Sequence, residues 1–291
     1  MSKKWLSPLY DIIPGKKLLF SAWKFLGSPP EKIFRHLHFP GAFRVKVDET
    51  HSFKIENNDL QLENEIFWRG LYYRYEKTSL RLWMQLCQNA SVIIDVGANT
   101  GLYSLVAKAM NSAASVHAFE PVERVFNKLE RNVKLNNYDV ATIKKALSNT
   151  NGTSFIFDSL ADHEYAASLL KNVYGSNVRK ELIETVTLMD YMNENNVRHV
   201  DLMKIDVEGF EPEVLMGMGD YLRKMKPTLL IEIVEEENSK RIESIIAGID
   251  YLFYEVDETD GCRLKSHIYK TPNNNWLLCS KETARQLNLP V

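Results

Sequence analysis

The order of elements predicts an α/β fold: a Rossmann-like, doubly wound, mostly parallel sheet of seven strands, preceded by an N-terminal extension. Two observations carry this. From Ser91 onward, short apolar runs alternate with stretches of helical period, as repeated β-α-β units do. The first of those runs, Val92-Ile93-Ile94, ends in Asp95-Val96-Gly97, as a strand buried on both faces does where it turns into a helix. The domain is assigned to residues 71–291 and the extension, of short helices and a β-hairpin, to residues 1–70.

Within the extension, 16–26 and 31–38 read as short helices separated by the Gly27-Ser28-Pro29-Pro30 breaker. Alternating patterns over 42–47 and 52–56 predict a small antiparallel hairpin. A helix over 77–88 buries Leu80, Trp83, Met84 and Cys87.

In the domain, the first helix presents Leu102, Leu105, Val106, Ala109 and Met110 at helical spacing. Residues 116–119 form the next strand, closed by Glu120-Pro121. The following helix shows Val122, Val125, Phe126, Leu129 and Val133 and stops near Asn136-Asn137. A third strand at 142–147 runs through Asn149-Thr150-Asn151-Gly152 into 153–157, where the Asn-Gly pair predicts a local hairpin. Residues 159–182 have no clear period and read as a lid or loop. Short strands at 184–188 and 201–206 come next, the second feeding a helix with Phe210, Val214, Leu215, Met218, Tyr221 and Leu222 on one side. A strand over 228–234, a helix over Ile242, Ile245, Ile246 and Ile249, and strands near 252–256 and 276–279 complete the order.

Hydrophobic residues at 45% and charged residues at 25% exclude a disordered chain, and a net charge of -2 asks for no nucleic-acid partner. The charge is unevenly placed. Residues 1–46 hold nine Lys and Arg against Asp11 and Glu31, among many aromatic residues. Two readings stand: peripheral contact with an anionic membrane face, or an arm that packs its aromatics and leaves its lysines in water. The second is preferred, because no single amphipathic face is long or clean. Cys87, Cys262 and Cys279 lack metal or disulfide spacing, and no signal peptide or apolar run of ~18 residues is evident. The expected location is cytoplasmic.

Ligands in such sheets sit at the carboxyl ends of the strands. After the first strand comes Asp95-Val96-Gly97-Ala98-Asn99-Thr100-Gly101, where Gly97 and Gly101 permit a tight turn and Asn99 or Thr100 can cap the helix. After the second comes Glu120, nineteen residues beyond Gly101, placed to accept hydrogen bonds from both hydroxyls of a ribose. After a later strand comes Asp206-Val207-Glu208-Gly209. A dinucleotide loop normally has GxGxxG and rests a diphosphate on the helix N-terminus. Here Asn99 replaces the second glycine and Asp95 ends the strand, which suits the ammonium and sulfonium of S-adenosyl-L-methionine and repels a diphosphate.

Residues 95–101, Ala118-Phe119-Glu120-Pro121, Leu188-Met189-Asp190 and the run from Met203 to Phe210 resemble the FkbM-type methyltransferases, and 66–72, 227–232 and Asn275-Trp276-Leu277-Leu278 are similar to that family as well. The resemblance implies a class I methyltransferase fold and methylation of a hydroxyl, on a sugar of a glycan or polysaccharide or on a secondary metabolite. By carry-over it places Asp95, Gly97, Asn99 and Gly101 around the methionine part of the cofactor, Glu120 at the ribose and Ala146-Leu147-Ser148 by the adenine, with Ala98, Thr100, Pro121 and Asp206 counted among the cofactor-binding residues.

A sugar hydroxyl is a poor nucleophile, so a base is expected. Asp206 and Glu208 are the first candidates, one facing the pocket while its neighbour caps the next helix, because strand side chains alternate. Glu232, a carboxylate inside an apolar strand, is the third. His117 reads as a packed residue, and His163 and His199 are lesser candidates. No metal is expected, since nothing in the sequence shows that the three carboxylates converge. Trp68, Tyr72, Tyr73 and Tyr75 read as packing beneath the sheet in preference to an aromatic wall. Two other functions share the architecture: a nicotinamide-dependent oxidoreductase, and a cofactor-binding module without turnover.

Overall fold

The computed structural model describes residues 15–58, 61–74, 76–159, 167–168 and 178–291. The extension contributes α1 (Lys16–Leu26), α2 (Glu31–Phe34), the antiparallel pair β1 (Gly41–Lys46) and β2 (Ser52–Asn57), α3 (Gln61–Arg69) and α4 (Lys77–Cys87). Then follow β3 (Val92–Val96), α5 (Leu102–Met110), β4 (Ser115–Phe119), α6 (Glu123–Asn136), β5 (Val140–Ile143), β6 (Ala146–Leu147), β7 (Gly152–Ser159), β8 (Ala167–Ser168) and β9 (Val178–Val186). The chain continues through α7 (Leu188–Glu194), β10 (Leu202–Ile205), α8 (Glu211–Met216), α9 (Asp220–Met225), β11 (Thr228–Glu232) and α10 (Glu236–Ile246). It closes with β12 (Leu252–Asp257), β13 (Gly261–Lys265), β14 (Asn275–Cys279) and α11 (Lys281–Gln286).

The main sheet runs β13-β12-β14-β11-β10-β3-β4-β5. Pairings from β11 through β10, β3 and β4 to β5 are parallel, and β14 inserts antiparallel between β11 and β12. The chain winds outward from β3 to β5, then returns to β10 on the other side of β3. That reversal puts the ligand crevice at the ends of β3 and β10. The fold is the expected Rossmann-like, doubly wound, mostly parallel sheet, here with eight strands. The eighth is β13, which hairpins onto β12 and is the edge of the sheet among the described residues.

Alternation along the strands divides the core. Ile93, Leu202, Leu230 and Leu277 pack with Leu80, Trp83, Leu105 and the aromatic residues of the extension, Phe20, Phe39, Phe53 and Trp68. Ile94, Met203, Leu229, Ile231 and Leu278 face the opposite way, against Val214, Leu222, Ile242 and Ile246. Both faces of the sheet are therefore dry, which is why its central strands read as continuous apolar runs.

Several local expectations are corrected. The 142–147 segment divides into β5 and β6, and β7 pairs antiparallel with β9, not with β6. The second sheet is ordered β6-β9-β7-β8, so the Asn151-Gly152 turn is no hairpin between neighbours. The 184–188 strand is the end of the longer β9. Leu188 instead opens α7, because the Thr187 side chain accepts from the Asp190 amide at 3.1 Å and caps the helix. The helix after β10 breaks into α8 and α9 around Gly217-Met218-Gly219. A Cβ at Gly217 would lie 2.1 Å from the Ser148 carbonyl, so that crossing tolerates only glycine. The 31–38 helix is a single turn, and α3 and α11 were not anticipated. Most of the 159–182 segment, with His163, and likewise Tyr75 and residues 1–14, lies outside the described residues.

Candidate functional site

At the carboxyl ends of β3, β4, β10 and β11 opens a cavity of about 520 Å³. Its lining includes Asp95, Gly97, Ala98, Asn99, Thr100, Glu120, Pro121, Ala146, Leu147, Asp206, Glu208 and Glu232, so the sequence candidates on five different strand ends come together. Gly101 is not in the lining. It is the N-cap of α5, at φ 94°, and a Cβ there would meet Leu129 Cδ1 at 2.6 Å, so its role is the close approach of α6.

The β3–α5 turn is drawn tight by backbone. The Gly97 and Ala98 amides both donate to the Phe119 carbonyl, at 3.0 and 2.9 Å, and the Asp206 amide donates to the Val96 carbonyl at 3.0 Å. Gly97 sits at φ 76°, where a Cβ would come within 1.9 Å of the Asp206 carbonyl oxygen. Only glycine fits. Asn99 adopts φ 52° and its side chain accepts from the Thr100 amide at 2.8 Å. Neither Asn99 nor Thr100 caps α5, whose N-cap Gly101 makes no side-chain bond. Glu120, buried, fastens the loop: its Oε2 accepts from the Asn99 amide at 3.1 Å and its Oε1 from the Val122 amide at 2.9 Å. The Asn132 amide group of α6 donates to the Thr100 carbonyl at 2.8 Å, and its oxygen accepts from the Glu56 amide of β2 at 2.9 Å. The extension thus buttresses the loop through α6.

The other wall is built from charge. Lys204, fully buried in β10, stands beside Asp95 in the parallel register and reaches Asp206 Oδ2 at 3.2 Å, with its ammonium 5.0 Å from the Tyr103 ring centre. Burial alone would lower its pKa, but the Asp206, Glu76 and Glu232 carboxylates outweigh that and raise it, so the lysine is a permanent cation. Glu76 accepts from the Tyr103 hydroxyl at 2.7 Å and from the Asn275 side chain at 3.3 Å, and burial pushes its pKa up. Asp95 is buried and accepts from the Ser104 hydroxyl at 2.6 Å; burial lifts its pKa to about 6.

Asp206, Glu208 and Glu232 each bring a carboxylate oxygen within 4.8 Å of the others. This corrects two expectations. The three do converge, and both Asp206 and Glu208 line the cavity. The alternation argument fails because residues two apart on a strand share a face, and because β10 in any case ends at Ile205, with Glu208 at a left-handed φ of 53°. Like charges so close cannot all be ionised. Burial opposes ionisation of Asp206, but Lys204 and a bond from Glu232 overcome that and lower its pKa. The charge on Asp206, then burial, raises Glu232, which holds the proton of the pair. Burial, and next the charge on Asp206, lift Glu208 to about 7.

Lys204, Glu76, Tyr103 and Asn275 were missed as site residues. The available signal was Lys204 itself, a charge inside the apolar run Leu202-Met203-Lys204-Ile205, which has to find carboxylates wherever it is buried. His117 is a packed strand residue between the Ser115 and Tyr191 hydroxyls, and His199 pairs with Asp201 at 2.8 Å. Neither is in the lining. Trp68 and Tyr72 pack away from the cavity, and Tyr73 is exposed.

Residues 95–259 match the family described as the methyltransferase FkbM domain. Methyltransferase sdnD from Sordaria araneosa is 30% identical over 53% of this chain and 71% of its own length. The hexuronic acid methyltransferase AglP from Haloferax volcanii is 27% identical over 63% of this chain and 72% of its own. Among solved structures, that of a methyltransferase FkbM from Methylobacillus flagellatus KT is 14% identical, with a TM-score of 0.44, and the overlap covers 65% of this chain and 43% of that one. The matched segment carries the glycine loop, Glu120 and the Asp206–Glu232 wall, and the chain belongs to the FkbM methyltransferase family.

Proposed function

We propose that this methyltransferase uses S-adenosyl-L-methionine to O-methylate a hydroxyl of a sugar, in a glycan or in a secondary metabolite. The observation that carries the cofactor is the charge of the cavity. Its lining holds seven carboxyl side chains (Glu76, Asp95, Glu120, Asp206, Glu208, Glu232, Glu258) against two lysines, Lys145 and Lys204. Even with Glu232 holding its proton, such a wall attracts a sulfonium and an ammonium and repels the diphosphate of a nicotinamide dinucleotide. The missing Cβ of Gly97 lets the β3–α5 turn close onto the Asp206 carbonyl, which brings the glycine loop and the charged wall together at one cavity. Glu120, in the lining at the end of β4, presents a carboxylate that can accept from the ribose hydroxyls. Ala146, Leu147 and Ile156 give an apolar slot fit for the adenine.

When bound, the cofactor supplies a methyl group already activated by its positive sulfur. The chain then has to orient the acceptor oxygen, exclude water and take one proton. Glu208, with its pKa near 7, matches the work of a base at neutral pH better than Asp206, whose affinity for a proton Lys204 has reduced. Protonated Glu232 donates its one proton to Asp206, which holds that carboxylate ionised and in place beside the acceptor site. A sugar acceptor agrees with the name of the Haloferax volcanii relative, a hexuronic acid methyltransferase.

Isothermal titration with S-adenosylhomocysteine and with NAD tests the cofactor. Binding of the first and none of the second is expected; the reverse would replace a methyltransferase with a dehydrogenase. Transfer of radiolabelled methyl to free hexuronic acids and polyketide alcohols tests the acceptor. Cofactor binding with no transfer to any hydroxyl would leave a module without turnover.

A further inference from the structure

Helix α1 has two apolar faces, and among the described residues only one of them is packed. Phe20 and Trp23 pack on Trp68, with ring centres 5.6 and 6.0 Å apart. The opposite side carries Leu18, Leu19, Ala22, Phe25 and Leu26, at positions i, i+1, i+4, i+7 and i+8 of one helical stripe. Leu18 is 76% exposed, Phe25 91% and Leu26 85%. Lys17, Ser21 and Lys24 form the polar strip between the two faces, so α1 is amphipathic and its exposed stripe suits a second apolar phase. Eleven residues make a helix of about 16 Å, too short to cross a bilayer but sufficient to lie in its surface. No helix among the described residues is long and apolar enough to span a membrane.

Beside this stripe, between α1 and the β1–β2 hairpin, is an open recess of about 430 Å³ lined by Lys17, Ser21, Lys24, Ala42, Phe43, Arg44, Lys54 and Phe67. Among the described residues its lining has four cations and no carboxylate. Arg44 and Lys54 stand directly opposite each other in the hairpin register. Like charges in that position oppose the pairing of the strands, and an anion between them removes the penalty. Lys24 donates to the Phe67 carbonyl and lies 5.1 Å from the Phe67 ring centre, which fixes its ammonium at the rim.

We infer that α1 and this recess dock the protein on an anionic lipid bilayer. The stripe from Leu18 to Leu26 enters the headgroup boundary, and the four cations hold lipid phosphates. Apolar insertion and basic attraction together make the two signals that stable surface attachment requires. The surface also lies close to the cavity. Helix α3 receives α1 at Phe67 and Trp68, and its first residues Gln61 and Leu62 line the cavity, one helix length of about 13 Å away. Docking therefore holds the mouth of the cavity near the membrane face.

Cosedimentation of the full chain tests this, with vesicles of phosphatidylcholine alone and of phosphatidylcholine mixed with phosphatidylglycerol. Sedimentation with the anionic vesicles, weaker in high salt and at least about tenfold weaker with phosphatidylcholine alone, is expected. The double variants Leu18→Glu with Phe25→Glu, and Arg44→Ser with Lys54→Ser, are each expected to lose at least about tenfold in vesicle binding. Neither double variant lowers the melting temperature, and S-adenosylhomocysteine affinity stays unchanged in both. Failure of the wild type to sediment, unchanged sedimentation of both variants, or equal binding to the two lipids overturns the proposal. So does a wild-type dimer in analytical ultracentrifugation that Leu18→Glu with Phe25→Glu makes monomeric, since a second copy would then cover the stripe.

Discussion

Where β3 and β4 end, the cavity is shaped by backbone; where β10 and β11 end, it is shaped by charge. The first wall depends on an amide-to-carbonyl lattice around Gly97 and Phe119 and on the missing Cβ of one glycine. The second depends on one buried cation, Lys204, set among Asp206, Glu76 and Glu232. Backbone geometry is indifferent to pH near neutrality, whereas a cluster of carboxylates is not. The same crevice thus joins a passive holder to a titratable wall, which suits a reaction that needs alignment from one side and proton removal from the other.

The largest effect is expected from removing the cation. Lys204→Met leaves Asp206 and Glu76 without their counter-charge, and breaking a buried pair in this way costs about 3–5 kcal/mol. Urea unfolding measures it. The carboxylates of the variant have raised folded-state pKa values, so protons stabilise it. Its deficit is therefore expected to shrink as the pH falls from about 8 toward 6. A deficit independent of pH would mean that the wall is held by packing, and the contrast between the two walls would fail. On the backbone side, Gly97→Ala sets a methyl 1.9 Å from the Asp206 carbonyl at a positive φ. A loss of about 3 kcal/mol in stability is expected, together with loss of S-adenosylhomocysteine binding. Normal cofactor affinity in that variant would show that the turn yields.

Next comes Glu208. Its pKa near 7 makes turnover rise with pH through about 7 and level off above, because a base acts only when deprotonated. Glu208→Gln is expected to lower kcat by about a hundredfold, or roughly 2.7 kcal/mol in barrier, to flatten that profile and to leave cofactor affinity within about twofold. An unchanged profile would transfer the role of base to Asp206.

The contrast between the walls also explains what could be read from the sequence. The backbone wall was legible because its requirement is local: Asp95-Val96-Gly97-Ala98-Asn99-Thr100-Gly101 has to turn within seven residues, and Glu120 follows the next strand at a fixed offset. Apolar runs in β3, β4, β10 and β11 made the sheet legible for the same reason. The charged wall was only half legible. Asp206, Glu208 and Glu232 stood out singly, but their convergence depends on β10 and β11 being neighbours and on the left-handed turn at Glu208, neither of which a period reveals. Glu76 and Asn275 are 199 residues apart in sequence and meet only because β14 folds back between β11 and β12. The N-cap Thr187 was readable in principle, since Thr-x-x-Asp precedes an apolar helix, but β-branched residues on its left disguised it as strand. The outward stripe of α1 was hidden for another reason: an apolar residue in sequence looks the same whether or not a partner covers it.

The smallest effect concerns Glu120, and it needs a control to be informative. Glu120→Ala is expected to weaken S-adenosylhomocysteine binding by about 1.5–3 kcal/mol, the range for hydrogen bonds to a charged group. The same substitution strips the Asn99 and Val122 amides of their acceptor, so a looser loop alone could lower affinity. Asn132→Ala separates the two causes. It removes the tie to the Thr100 carbonyl and so slackens the same loop, yet Asn132 lies behind it and outside the cavity. If Glu120 grips the ribose, calorimetry shows a larger loss of affinity for Glu120→Ala than for Asn132→Ala at matched loss of stability. Titration with 2′-deoxyadenosylhomocysteine sharpens the result: wild type and Asn132→Ala both discriminate against the missing hydroxyl, and Glu120→Ala does not. Equal discrimination in all three would leave Glu120 a brace of the backbone wall and nothing more.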